Sequence, residues 1–175
     1  MPKILVIAYS HTGTCGRVAQ LLCEQQQWPL AEVTDLRPRA GVLGTWRCVA
    51  DSLLRRRPAI CYAGPDPSRF DALVLVAPIW MSRLAGPMRS FVASRRSALP
   101  PLAVVSVMGR VGAYNAVAEV ARLTGRQPLL GTAVAARSVE DGSCAEVLQA
   151  FGDGLREATA GFVVVRAPMW SPYAA

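Results

Sequence analysis

The chain has 175 residues, of which 52% are hydrophobic and 18% are charged. This length predicts one domain, 1–175, and the composition is too apolar for a disordered chain and sufficient to bury a large core. Basic residues outnumber acidic ones by 19 to 12, which gives a net charge of +7, and every basic residue except Lys3 is an arginine. A surface of this charge favours anionic partners.

The distribution of the arginines argues against a nucleic-acid-binding protein. The clusters at 55–57 and 95–96 are separate, and neither is flanked by the aromatic residues on which single-stranded bases stack. Solvated helix ends and a phosphorylated or acidic partner remain as explanations of the charge. We therefore expect no nucleic acid among the partners.

The cysteines and the apolar runs define the expected compartment. The five cysteines are odd in number and form no C-x-x-C pair, so neither a zinc site nor a disulfide framework is predicted. No apolar run approaches the roughly 20 residues that span a bilayer, and the N-terminus lacks the basic region of a signal peptide. We expect a reduced, cytoplasmic protein without a membrane span.

Hydrophobic patterning predicts strands and helices that alternate along the chain. Lys3–Tyr9 is a continuous apolar run of strand length, and an amphipathic helix is predicted over 14–26. Further strands are predicted at Leu30–Val33, Ala72–Ala77, Leu102–Met108 and Leu129–Ala135. Helical stripes follow them at Val42, Trp46, Val49, Ala50 and Leu53; at Leu84, Met88, Phe91 and Val92; at Val117, Val120 and Ala121; and at Val147, Leu148, Phe151 and Leu155. The segment 63–68 is predicted to be a loop, because it is rich in proline and glycine.

Five strands alternating with five helices predict an α/β fold, a three-layer, doubly wound, five-stranded parallel sheet. The alternation leaves the strand order open between the order of dinucleotide-binding domains and the order 2-1-3-4-5. Ligands of such sheets bind beyond the carboxyl ends of the strands, so the loops after the first, third and fourth strands carry the information on function. The apolar tail, 159–175, is expected to pack on the domain or on a second copy in a homodimer.

The loop after the first strand combines hydroxyls, a glycine and a helix N-terminus. Such a loop holds a phosphate through its hydroxyls and backbone N–H groups. It lacks both the G-x-G-x-x-G pattern and the G-K-[ST] ending, and a polar turn that only caps the helix is the alternative. His11 is the only histidine, so a hydrolase triad or a multi-histidine metal site is not expected. The loop residues are Ser10, His11, Thr12, Gly13, Thr14 and Cys15.

The stretch YSHTGTCGRVA resembles the FMN-phosphate loop of the flavodoxin family, whose pattern is T/S-x-T-G-x-T after the first strand. Ser10, Thr12 and Gly13 match that pattern. Thr14 stands where the family often has asparagine, and Cys15 replaces the last threonine, so that a weaker thiol donor replaces a hydroxyl. A thiol at a helix N-terminus is either redox-reactive or simply a small substituent.

A second region resembles the family's third strand and flavin-contacting loop. FDALVLVAPIWMSRLAGPMRSFV matches the family spacing at Pro78, Trp80, Pro87, Arg89 and Phe91. GVLGTWRCVADSLLRR and MGRVGA resemble a helix and a glycine-rich loop of the same family, so the resemblance covers 3–155. It implies the strand order 2-1-3-4-5 and FMN as the cofactor.

The resemblance also implies the residues around the flavin. Trp80 is either a core aromatic or the surface on which the isoalloxazine stacks. Met81 and Ser82 stand where many flavodoxins have a glycine that lets a peptide flip. Arg83 and Arg110 flank the implied site, either as plain surface charge or as partners of the flavin or of a nicotinamide phosphate. Tyr114 is the candidate for an aromatic residue that stacks on the outer face of the flavin. The implied cofactor-binding residues are Ser10, His11, Thr12, Gly13, Thr14, Cys15, Pro78, Ile79, Trp80, Met81, Ser82, Met108, Gly109 and Gly112.

These features predict an FMN-binding redox protein, with no catalytic residue assigned. It is expected either to pass electrons from a reduced nicotinamide, NAD(P)H, to a quinone-like acceptor or to carry electrons for a redox partner protein. Its positive charge distinguishes it from the acidic carriers typical of the family. A cofactor-free module that binds a protein or an anionic partner is the alternative from a different class.

Overall fold

A computed structural model describes residues 1–36, 50–51, 53–80, 82–109 and 113–161, with the side chains of 113 and 114 excepted. Several predictions therefore lie outside the described residues. They concern the helical stripe at Val42, Trp46 and Val49, the site residues Met81 and Gly112, Arg110, the side chain of Tyr114, and the tail from residue 162 onward.

The described residues form seven strands and five α-helices. The strands are β1 (Ile4–Ala8), β2 (Leu30–Asp35), β3 (Ile60–Ala63), β4 (Ala72–Trp80), β5 (Arg83–Leu84), β6 (Leu102–Met108) and β7 (Leu130–Ala135). The helices are α1 (Thr14–Gln26), α2 (Gly86–Arg95), α3 (Ala113–Thr124), α4 (Ala136–Glu140) and α5 (Ala145–Thr159).

Five strands of the sheet are parallel, in the order β2-β1-β4-β6-β7. Counted along the chain as in the sequence prediction, this is the order 2-1-3-4-5, which confirms the predicted α/β fold. Two strands were not predicted: β3 adds an antiparallel edge beside β2, and β5 pairs antiparallel with the end of β4. A parallel sheet with this order places its ligand site at the carboxyl edge, where β1 and β4 lie side by side.

The helices cover both faces of the sheet because alternate side chains of each strand point to opposite sides. Leu5 and Ile7 of β1 pack on the same face as α2 and α3, whereas Ile4 and Val6 pack on the face of α1 and α5. All five residues of β1 are buried. Continuous burial explains why the strand reads as an unbroken apolar run.

Close packing between α1 and α5 sets the position of α1, and with it the loop that precedes this helix. A Cβ added to Gly152 of α5 would lie 2.3 Å from Cδ of Gln26, the last residue of α1. Gln26 is 1% exposed, and its amide nitrogen donates to the backbone oxygen of Gln149 at 3.4 Å. Only glycine at position 152 leaves room for this contact.

The structure differs from the sequence prediction at three places in the middle of the chain. The strand predicted to end at Ala77 continues to Trp80, because Ile79 and Trp80 pair with β5. Leu84, predicted on a helix, belongs to β5, and α2 begins only at Gly86. Leu53, predicted on a core-facing stripe, is 47% exposed.

The helices of the described residues are those of a chain that packs around a sheet. Within the described ranges, none of them combines the length and the apolar character needed to cross a bilayer.

Candidate functional site

Three of the predicted segments lie together at the carboxyl edge of the sheet. In the parallel register Ala8 is level with Val76, and Pro78 is level with Val107. The loop after β1, the end of β4 and the end of β6 therefore leave neighbouring strands on the same side. This arrangement is the one in which parallel α/β sheets bind their ligands.

The N-terminus of α1 is open to an anion. Gly13, its N-cap residue, has a φ of +89°, and no heavy atom lies within 4 Å of a Cβ placed there. No side chain caps the helix, and its first turn contains no acidic residue. The first backbone N–H groups of a helix have no acceptor within it, so they remain donors for a negatively charged group.

Hydroxyls surround this helix end. The Oγ atom of Ser10 is buried and, within the described residues, has no hydrogen-bond partner. The hydroxyls of Thr12 and Thr14 lie 3.5 Å apart. A cavity of about 290 Å³ adjoins the loop and is lined by Ser10, Gly13 and Gly16 among others. A buried hydroxyl without a partner is costly, so Ser10 is suited to a ligand that brings acceptor oxygens.

Cys15 is placed differently from the sequence prediction. Its side chain is 3% exposed and packs in the core beneath α1. Burial raises the pKa of the Cys15 thiol to about 12, so the thiol stays protonated at neutral pH. The expected role as a weak thiol donor to a phosphate, and the redox-reactive alternative, both disagree with this placement. Only the backbone N–H of Cys15 remains available to a ligand.

Trp80 contacts the loop after β1 and the residue that follows this strand. Its ring centroid lies 5.8 Å from that of His11, with an interplanar angle of 90°. Tyr9 makes a similar contact at 6.3 Å and 84°, and its hydroxyl donates to Asp35 Oδ2 at 2.8 Å. Trp80 is partly buried against the core. Trp80 is therefore anchored in the core and also borders the loop after β1, and its stacking on an isoalloxazine stays a prediction.

β4 and β5 form a hairpin at Trp80. Trp80 pairs with Arg83, and Ser82, which precedes Arg83, has a φ of +58°. Nη1 of Arg83 donates to the backbone oxygen of Leu53 at 2.9 Å. A guanidinium expected at the flavin therefore has a protein partner on a neighbouring surface segment.

Arg89, which was not predicted as a site residue, holds this hairpin through a hydrogen bond to β5. Arg89 of α2 is 2% exposed, and its Nε donates to Glu119 Oε1 of α3. Its Nη2 donates to the Leu84 oxygen at 2.8 Å, and its Nη1 donates to the oxygens of Asp51 and Arg56, both at 3.1 Å. An arginine within an otherwise core-facing helix was the sequence signal for such a network.

The remaining predicted residues border the same edge. Ile79 and Met108 are 7% and 6% exposed, so their side chains pack into the core at the ends of β4 and β6. Pro78 is half-buried, and it pairs with Val107. Gly109 is exposed, and space around its Cα is open. These positions therefore lie at the carboxyl ends of β4 and β6.

No protein-family profile and no curated protein matches the chain. Solved structures match it over most of their length. A flavoprotein from Lactobacillus acidophilus, solved in complex with FMN, has a TM-score of 0.66 at 18% identity, over 81% of this chain and 98% of that one. A putative flavoprotein from Bacteroides uniformis reaches 0.68 at 19% identity, over 85% and 96%. A flavodoxin variant from Pseudomonas aeruginosa reaches 0.52 at 14% identity, over 87% and 98%. The chain therefore has the flavodoxin-like fold.

Proposed function

We propose that this flavodoxin-like chain binds FMN at the carboxyl edge of its sheet and functions as a redox flavoprotein. The observation that carries the proposal is the loop after β1, where an uncapped helix N-terminus meets the buried, unpartnered hydroxyl of Ser10. The flavoprotein from L. acidophilus, which shares the fold, was solved with FMN. The phosphate-loop and Trp80 motifs of the sequence support the same cofactor.

The residues of the loop fit the phosphate of FMN. A phosphate monoester carries close to two negative charges and three acceptor oxygens. The free N–H groups of the first turn of α1 and the Ser10 hydroxyl supply donors, and Thr12 and Thr14 add hydroxyls 3.5 Å apart. The net charge of +7 adds a favourable long-range potential for an anionic cofactor.

The apolar residues of the same edge fit the ring. Trp80 offers an aromatic surface, and the buried Ile79 and Met108 make the ends of β4 and β6 apolar. FMN, when bound, supplies the electron chemistry, since it accepts and donates one or two electrons. The protein's part is to anchor the phosphate, to position the ring and to limit its exposure to solvent.

We further propose a reduced nicotinamide, NAD(P)H, as donor and a quinone-like molecule as acceptor, with electron carriage for a partner protein as the second candidate. The observation behind the enzyme role is the positive charge, which favours a phosphorylated donor. Both roles use the same FMN site and differ only in the molecules that exchange electrons with it.

A spectroscopic titration tests the cofactor. Purified protein is titrated with FMN, and absorbance and flavin fluorescence are followed. We expect saturation at one FMN per chain, with a shifted two-band flavin spectrum. A protein that neither contains flavin nor takes it up would leave the cofactor-free binding module as the function.

Steady-state turnover then separates enzyme from carrier. FMN-loaded protein is mixed with NADH or NADPH and a soluble quinone, without any other protein. An enzyme oxidises the nicotinamide at once, whereas a carrier does so only after a flavin reductase has been added. The absence of turnover in both mixtures would contradict both roles.

A further inference from the structure

The surface beside the Trp80 hairpin carries an unusual combination of side chains. Residues 53–57, which we call the arginine patch, read Leu-Leu-Arg-Arg-Arg, and all five are exposed. Leu53 is 47% and Leu54 58% exposed, which is high for leucine. Exposed leucines next to a block of like charges are more typical of a contact surface than of a surface that only has to be soluble.

Three neighbouring side chains hold the backbone of the patch and of Pro58, which follows it. Nη1 of Arg89 donates to the Arg56 oxygen at 3.1 Å, and Ser90 Oγ donates to the Pro58 oxygen at 2.7 Å. Arg83 donates to the Leu53 oxygen at 2.9 Å. Three side chains from α2 and β5 thus fix the patch at both ends. A preorganised surface loses less entropy when a partner binds.

The patch also lies close to the proposed flavin site. Arg83, whose side chain reaches Leu53, is the strand partner of Trp80. One arginine side chain therefore spans the interval between the hairpin that carries Trp80 and the patch. A protein docked on the patch would be within a short distance of the flavin ring, as electron transfer requires.

The charge of the patch defines its partner. Nη1 of Arg56 lies 3.9 Å from Asp51 Oδ1, but the side chain of Asp51 is only 6% exposed. Arg55 and Arg57 are exposed as well, so the surface field is positive. We propose that the arginine patch is the docking site of an acidic one-electron redox protein. Electrostatic attraction would guide the encounter, and Leu53 and Leu54 would form the apolar contact.

The inference rests on the proposed FMN site, because the electrons pass to or from that flavin. When electrons flow toward the flavin, each reduced partner gives up one electron and is oxidised. Two partners are therefore needed for every FMN that takes up two electrons, with protons drawn from solvent.

The test uses a dithionite-reduced, acidic [2Fe–2S] ferredoxin as the probe, with FMN-loaded full-length protein in a stopped-flow instrument. The patch variant carries Arg55→Glu, Arg56→Glu and Arg57→Glu. A control variant carries Arg69→Glu, Arg96→Glu and Arg122→Glu, three exposed arginines toward the amino ends of the strands. Both variants therefore change the net charge equally and differ only in where the charge changes.

We expect the second-order rate constant of wild type to fall at least about tenfold between low and high salt. At low salt the patch variant should react about as slowly as wild type does at high salt, and its rate constant should depend little on salt. The control variant should keep most of the wild-type rate constant at low salt and most of its salt dependence. A Leu54→Ser variant should react more slowly at every salt concentration. Equal losses in the two triple variants, or no loss in the patch variant, would overturn the proposal.

Two further measurements keep the result unambiguous. Ferredoxin binding to flavin-free protein is measured by calorimetry, so the docking site is tested even if FMN does not bind. If FMN does not bind, the missing flavin spectrum contradicts the proposed function. The calorimetric binding of ferredoxin then tests the patch by itself. Tighter patch-dependent binding of anionic vesicles or single-stranded DNA than of ferredoxin would also overturn the inference.

Discussion

The imidazole of His11 stands at 90° to the indole of Trp80, with the ring centroids 5.8 Å apart. His11 belongs to the loop that precedes α1, and Trp80 ends β4, so this contact joins the proposed phosphate site to the proposed ring site. Trp80 is also in contact with Tyr9. The two halves of an FMN molecule would therefore be bound by parts of the chain that position each other.

Replacing Trp80 by leucine should weaken FMN binding. Leucine keeps apolar bulk but removes the aromatic surface, and aromatic pairs contribute about 0.5–1.5 kcal/mol beyond area burial, so the dissociation constant should rise by up to about tenfold. Fluorescence titration measures it. Trp28→Leu, at the opposite end of the sheet, is the matched control, and an equal effect in both variants would contradict a stacking role for Trp80.

Replacing Ser82 by glycine should stabilise the hairpin turn. Ser82 has a φ of +58°, which costs a non-glycine residue roughly 1 kcal/mol and costs glycine almost nothing. The free energy of unfolding in urea should rise by up to about 1 kcal/mol. Ser94→Gly, within α2, should lower it instead. A lower stability of the Ser82→Gly variant would show that the serine side chain matters more than its backbone strain.

Removing Arg89 should be among the most destabilising single changes in the chain. Arg89→Met leaves the carboxylate of Glu119, 5% exposed, buried without its main partner, and the expected loss is about 3–5 kcal/mol in urea unfolding. Adding Glu119→Leu should recover part of that loss, because no charge then remains buried. Arg95→Met, at a partly exposed position of the same helix, should cost far less. A loss no larger than that of Arg95→Met would refute the network.

Alkaline pH should destabilise the protein through Cys15. Burial raises the pKa of its thiol from 9.0 to about 12, so above pH 9 the unfolded chain loses a proton that the folded chain keeps. The free energy of unfolding should therefore fall between pH 9 and 12, by up to about 1.4 kcal/mol per pH unit.

Cys15→Ala should flatten this pH profile. Cys23, whose pKa is raised from 9.0 to about 11, adds a similar slope over the narrower range between pH 9 and 11, and this contribution remains in the variant. Urea unfolding at several pH values above about 8 measures both profiles. Identical slopes in wild type and Cys15→Ala would show that the thiol is not buried in solution.

The parallel sheet was predictable because its strands are buried on both faces. β4 and β6 are continuous apolar runs, and the helices that follow them carry clear apolar stripes. Each strand and helix could therefore be predicted from its own sequence, without knowledge of its partners in the sheet. β3 was missed, since its four residues alternate between half-buried and exposed and their pairing depends on β2. Short edge strands are specified by their partners more than by their own sequence.

The site was predictable in its backbone and less so in its side chains. Ser10 and Gly13 lie where the loop pattern placed them, but Cys15 points into the core, since the second residue of a helix can face either side. Trp80 could not be assigned to a strand, because β5 offers only two residues to pair with it. Apart from Leu84, the partners of Arg89 come from two distant segments, residues 51–56 and α3, and no local sequence pattern predicts them.

The most direct test of the account compares FMN with riboflavin, which lacks the phosphate, in wild type and Ser10→Ala. A hydrogen bond to a charged group contributes about 1.5–3 kcal/mol, so the variant should bind FMN roughly ten- to a hundredfold more weakly and riboflavin unchanged. Ser97→Ala, at an exposed position away from the site, should bind both as wild type does. Equal affinity of the wild-type protein for FMN and riboflavin, or no loss of FMN binding in Ser10→Ala, would contradict the account.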